Sequence, residues 1–215
     1  MNKEKPNIND YLIATLKGGI SAIPFAGGVI NEFINLTIKT PIEKKQKQWI
    51  ELLYKEITNL KEKHKEFETE NLAKNERFIS SFVTASQIVI KTHENEKINY
   101  LKNAVINSVK SDVKSYEQTI FLNYLDIFTV EHINCLKALI KMGFNGPTSA
   151  SGDIEDIHIG FNSHIPESSM KFITLDLKNK GFIDSDYTLL SNSKIPTLKI
   201  SCSKLGRNFI NFLSK

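Results

Sequence analysis

GGISAIPFAGGVIN, residues 18–31, decides how the rest of this chain is read. No side chain in it is charged. It holds two glycine pairs, Gly18-Gly19 and Gly27-Gly28, one proline, Pro24, and a spread of apolar side chains: Ile20, Ile23, Phe25, Val29 and Ile30. A helix at the surface of a soluble protein carries a polar stripe opposite its apolar one, and this segment almost lacks a polar stripe. It belongs in a core, in an oligomer or in a bilayer.

The flanks, 11–16 and 33–38, continue the apolar character, broken by Lys17 and Glu32. One helix spanning a bilayer needs about 20 consecutive apolar residues. Segment 11–38 is long enough, but its charges, glycines and proline interrupt it. Pro24 disfavours a straight helix, and Gly27-Gly28 adds a flexible point. The expectation is two short helices, 10–22 and 26–38, bent near Pro24. Such a hairpin lies on a surface, stays buried, or spans a membrane only with copies of itself.

Working outward, Pro41 suits a first helical turn with Thr40 as its N-cap. Residues 42–71 alternate Lys and Glu, and their apolar residues Trp49, Leu53, Ile57, Leu60 and Phe67 form a heptad-like seam that includes His64. The reading is one long amphipathic helix, with His64 a partly buried structural histidine or a pH switch. Further helices are expected over 76–92 (burying Phe78, Phe82, Ala85 and Val89), 94–110 (presenting Ile98, Leu101, Val105 and Val109) and 112–127 (presenting Tyr116, Ile120, Tyr124 and Ile127). No strand signature interrupts them.

The pattern changes after Phe128. Thr129 caps a helix over 130–142 that Gly143 ends. A loop rich in Gly, Ser and Asn covers 145–152, and a short helix or turn covers 153–160. Pro166 opens a helix over 167–180, closed by Gly181. Residues 182–183, 187–190 and 197–201 read as short strands separated by turns, and Ser203 starts a last helix. The fold class is therefore mainly α: an N-terminal helical bundle over 1–128, followed by a smaller α+β region over 129–215.

The bulk numbers fit this reading. The chain has 215 residues, 40% hydrophobic and 24% charged, which is ordinary for a globular protein. The net charge of +4 is too weak to imply a nucleic-acid partner by itself. Cys135 and Cys202 lack CxxC spacing and read as buried reduced thiols. No GxxxxGK[ST], HExxH or GxSxG motif occurs, and the glycine pairs do not follow a strand. His93-Glu94 reads as solvated. His158 and His164, near Asp153, Glu155 and Asp156, match no standard metal spacing. The expectation is no enzyme, no cofactor and no metal.

Helix, turn, helix ending in KNKGFI, two strands, then SKLGRNFINFLS (203–214) is the order of a winged-helix domain, and the region resembles bacterial proteins of that class over 129–215. The resemblance implies that Ser168, Ser169, Lys171, Lys178 and Lys180 on the second helix, with Lys204 and Arg207 after the strands, face a partner or nucleic acid. This region holds ten Lys or Arg against eight Asp or Glu. DNA affinity is dominated by phosphate neutralisation, so this near-balance favours a protein partner over DNA.

The N-terminal AIPFAGG, the Lys/Glu helix with Trp49, and the TASQIVIKTHENEKINYLKNAVINS stretch resemble small bacterial and prophage proteins of abortive infection, some of which form pores. That resemblance implies a dormant cytoplasmic form, a phage-derived protein trigger, assembly with itself and insertion into inner-membrane lipid. Glycines let helices approach closely in a bilayer. Lys17 and Glu32 would face a water-filled lumen. Without a trigger, the helices around Trp49 and Phe82 would shelter the segment. A transcription regulator with a helical dimerisation domain, and a structural protein with a permanently buried hairpin, are the other readings.

Overall fold

The computed structural model describes residues 40–110, 113–141, 165–189 and 196–214. The candidate membrane-inserting residues Gly18 to Ile30, the loop 145–152 and the histidines 158 and 164 lie outside them. Among the described residues the chain is mainly helical, with a two-stranded antiparallel sheet. It divides between Asp126 and Ile127 into two compact units.

The first unit runs α1 (Thr40–Lys61), a 3-10 turn (Lys65–Phe67), α2 (Thr69–Leu72), α3 (Glu76–Lys91), α4 (Asn95–Ser108) and α5 (Ser115–Ile127). On α1, Trp49, Leu53 and Ile57 recur every four residues and are buried; α1 packs against α3 and α4. The side chain of Asn75 accepts the Phe78 N–H and caps α3. The face behind that cap buries Phe78, Phe82, Ala85 and Val89. α4 buries Leu101, Ala104 and Val105.

Polar bonds fix how these helices roll. The Trp49 indole N–H donates to Ser86 Oγ at 2.9 Å, and Ser86 Oγ donates in turn to the Phe82 carbonyl at 2.6 Å, all within the core. Lys45 Nζ donates to the Thr92 carbonyl at 2.9 Å, placing a cation at the C-terminal end of α3. Lys102 reaches Glu56 at 3.4 Å and so ties α4 to α1.

Two expectations are corrected here. The long helix expected over 42–71 ends at Lys61. The N–H groups of Lys63 and His64 both turn back to the Leu60 carbonyl, and Phe67 enters the core from the 3-10 turn instead. His64 is consequently exposed, 3.7 Å from Glu66, and is not a seam residue. The heptad spacing carries on past the helix, but the chain reverses beneath it.

The last helix of this unit turns its other face inward. Tyr116 and Ile127 are exposed, whereas Phe121, Leu122, Leu125 and Gln118 are buried. Both stripes have helical spacing. The buried one concentrates fully apolar side chains, while the outer one holds two tyrosines whose hydroxyls favour water.

The second unit runs α6 (Val130–Lys141), α7 (Glu167–Asn179), β1 (Ile183–Leu189), β2 (Pro196–Cys202) and α8 (Lys204–Leu213). β1 pairs antiparallel with β2 from Ile183↔Cys202 to Leu189↔Pro196. A polar turn was expected to break the first strand at 184–186. The strand is continuous over Ile183–Leu189 and pairs with β2 along its whole length. Phe128, Phe182 and Phe209 meet edge to face, with centroids 5.1 to 5.9 Å apart. Ser203 caps α8 by accepting the Gly206 N–H at 3.0 Å. A Cβ on Gly206 would stand 2.4 Å from the Phe182 carbonyl oxygen and 2.8 Å from Cys202 Sγ, so α8 lies against Phe182, just before β1, and the end of β2 through a contact only glycine permits. No helix among the described residues is long and apolar enough to cross a membrane.

Replacing Ser86 by Ala strands the buried Trp49 N–H. We expect a loss of about 1–3 kcal/mol in denaturant stability, read from helical circular dichroism, because Trp49 is the single tryptophan of the chain and its replacement removes the indole emission. The Trp49→Phe, Ser86→Ala double variant should lose less than the sum of the two single changes. Strict additivity would show that the indole bond does not hold α1 to α3.

Candidate functional site

The resemblance to winged-helix domains would place a partner surface on α7, and the two ends of this helix show how it is held. Pro166 starts it, its carbonyl accepting the N–H groups of Ser169 and Met170. At the other end Gly181 takes φ +77, a left-handed conformation that glycine adopts without strain. The Phe182 N–H then bonds to the Leu177 carbonyl, and the Gly181 N–H to that of Lys178. This is a Schellman close, with Phe182 and Leu177 both buried as its hydrophobic contact. Met170, Ile173, Thr174 and Leu177 form the inner face.

The outer face is not purely polar. Phe172 is 65% exposed and Leu175 is 56% exposed. Three residues apart, they sit on one stripe, flanked by the exposed Ser168, Lys171, Lys178 and Asn179. Exposed large apolar side chains set together on a helix mark a contact surface more often than scattered single ones do.

The predicted recognition residues divide. Ser168, Ser169, Lys171 and Lys178 are exposed on α7, and Lys204 is exposed at the start of α8. Lys171 pairs with Glu167 at 2.5 Å. Lys180 is half-buried and pairs with Asp176. Arg207 is half-buried and donates to the Cys202 carbonyl, so its guanidinium secures the end of β2.

Phe172 and Leu175 are a surface feature that the sequence pattern carries but the recognition residues expected from it do not include. They fall outside the Met170–Ile173–Leu177 stripe, and that offset was their signal. His132 was also missed, because its partner lies far along the chain. The Thr129 N–H donates to His132 Nδ1 at 3.3 Å, which puts the ring hydrogen on Nε2. Nε2 stands 3.4 Å from Asp176 Oδ2, an electrostatic contact without a well-formed hydrogen bond. Phe128 stacks on the ring at 5.0 Å. Burial holds the His132 pKa below the ordinary histidine value; Asp176 and Glu131 oppose that shift, and Lys180 adds to it. Burial thus favours the neutral form of a ring that lies between α6 and Asp176 of α7.

Cys135 and Cys202 are both buried and free. Burial pushes each thiol up to about 12, which leaves neither a ready nucleophile nor a ready metal ligand. Among the described residues, no group of three or more His, Cys, Asp or Glu gathers to hold a metal ion. Compared with known protein families, curated proteins and solved structures, the chain matches none.

The lowered His132 pKa has a definite sign. The unfolded chain takes up a proton near pH 6.5 while the folded one resists it. Stability is thus full above that value and lost as pH falls below it. We expect the unfolding midpoint of the second unit to drop between pH 7.5 and pH 5, and the drop to shrink in His132→Gln. An equal drop in both proteins would assign the effect to other groups.

Proposed function

We propose that this chain is a two-part effector of the abortive-infection type. In this reading the second unit is a winged helix that docks a protein partner on α7. Residues 11–38 act on inner-membrane lipid once that partner is bound, assembling with copies of the chain. One observation carries the choice of a protein partner: the exposed Phe172 and Leu175 in the middle of the outer face of α7.

The order α6, α7, β1, β2, α8 supports the winged-helix reading. Lys171 beside Phe172 and Lys178 one turn beyond Leu175 edge the apolar pair with positive charge. The Lys171 ion pair is exposed and weak, so its cation stays available to a stronger carboxylate. The matching occupant is a protein segment with an apolar centre and acidic edges. The uncharged segment 18–31 supports the membrane half of the reading.

A DNA-reading winged helix is the second reading, favoured by exposed Lys178 and Lys204. It is the weaker one. A reading helix needs polar side chains aimed at base edges, and here Lys180 and Arg207 are occupied within the fold.

The test is dye release from liposomes of bacterial lipids, using the full chain alone and with lysate of phage-infected cells. We expect release only with lysate, lost in Phe25→Asp and reduced about tenfold or more in Phe172→Asp, an effect of the size that interface anchors carry. Release unaffected by Phe25→Asp would refute insertion of the apolar segment. Salt-dependent retardation of duplex DNA that weakens in Lys178→Ala, with no release in any mixture, would favour the regulator.

A further inference from the structure

Between α3 and α5 runs a cleft of about 360 Å³. Facing helices in a bundle normally bury apolar side chains against each other. Here α3 contributes Arg77, Ser81 and Thr84, and α5 contributes Gln118 and Asn123; among the described residues Leu122 is the one apolar side chain of the lining and no aromatic ring takes part.

The hydroxyls of the lining divide. The hydroxyls of Ser86 on α3, Ser108 on α4 and Thr119, itself in the lining, bond back to the preceding turn, to Phe82, Val105 and Ser115. Those of Ser81 and Thr84 make no hydrogen bond among the described residues. Ser81 is only 2% exposed. The hydroxyls of Ser81 and Thr84 line the cleft, where their donor and acceptor capacity is open to a ligand's polar groups.

The charge is arranged along the cleft. Arg77 Nη1 donates to the Val113 carbonyl at 3.2 Å, two residues before α5 begins. The guanidinium therefore sits at the end where both helices start, and the positive ends of two helix dipoles reinforce it there. A guanidinium has five N–H donors, and carboxylates suit its planar fork. Glu76 stands beside it in the lining and limits the anionic charge that this end tolerates. Further along, hydroxyl and amide groups offer both donors and acceptors.

We propose that this cleft binds a small polyhydroxylated carboxylate of sugar-acid size, with its carboxylate on Arg77 and its hydroxyls along Ser81, Thr84 and Asn123. The volume lies at the lower end for small-molecule sites. The absence of a stacking ring weighs against a nucleobase. This assignment stands apart from the membrane reading, because it concerns the chain in solution without partner or lipid.

Calorimetric titration of the full chain with D-gluconate tests it, beside glucose and glucose 6-phosphate. We expect one gluconate per chain, an upward shift of several degrees in the unfolding midpoint, and glucose weaker by about tenfold. Arg77→Gln should erase the preference for gluconate over glucose. That change also removes the bond to Val113, so Ser81→Ala, which breaks no internal hydrogen bond, serves as the second variant and should weaken gluconate severalfold while Trp49 emission stays native. No heat at millimolar gluconate, glucose binding as well as gluconate, glucose 6-phosphate binding more tightly than gluconate, or Ser81→Ala binding as wild type would each overturn the assignment.

Discussion

The buried bond from the Trp49 indole to the Ser86 hydroxyl is the constraint on which the first unit turns. An indole N–H in a core must be satisfied, and only one roll of α1 against α3 satisfies it. That roll sets Leu53 and Ile57 facing inward, brings Lys45 to the Thr92 carbonyl and puts Glu56 within reach of Lys102. The salt bridge and the lysine contact are individually modest. They agree with one another because the indole bond has already fixed the rotation.

The second unit relies on a different device. Three phenylalanines, Phe128, Phe182 and Phe209, come from three separate parts of the chain and meet edge to face. Phe182 joins that cluster and closes the Schellman motif of α7 in the same stroke. The orientation of α7 is thus locked from its C-terminal end, and the close approach at Gly206 fixes α8 against the same residue. With the inner face so determined, Phe172 and Leu175 have no route inward. Their exposure follows from how well the rest of the helix is packed.

Polar side chains are used in two ways across the molecule. Some are consumed by the fold: Arg207 on the Cys202 carbonyl, Lys180 on Asp176, Ser86 between Trp49 and Phe82. Others are left uncommitted: Lys178 on α7, and the hydroxyls of Ser81 and Thr84 in the α3–α5 cleft. This division, more than net charge, separates scaffold from surfaces available to partners. The lysines that a sequence count would pool as a basic patch are thereby split.

Much of the helical framework was determined by the sequence itself. Expected helices over 76–92, 130–142 and 167–180 correspond to Glu76–Lys91, Val130–Lys141 and Glu167–Asn179. Starts and stops such as Pro166 and Gly181 act within a few residues, so they are visible locally. The inward face of α3, with Phe78, Phe82, Ala85 and Val89, was equally plain, because one stripe held nearly all its apolar mass. Tertiary structure alone decided the rest. α5 carries two stripes of helical spacing, and only its neighbours chose between them. The seam through His64 kept its spacing after the helix had ended, since periodicity does not register a reversal of the chain. His132 finds Asp176, Arg77 finds Val113, and two polar helix faces enclose one cleft. Each of these pairings joins residues remote in sequence, and no local propensity encodes which distant group a side chain will meet.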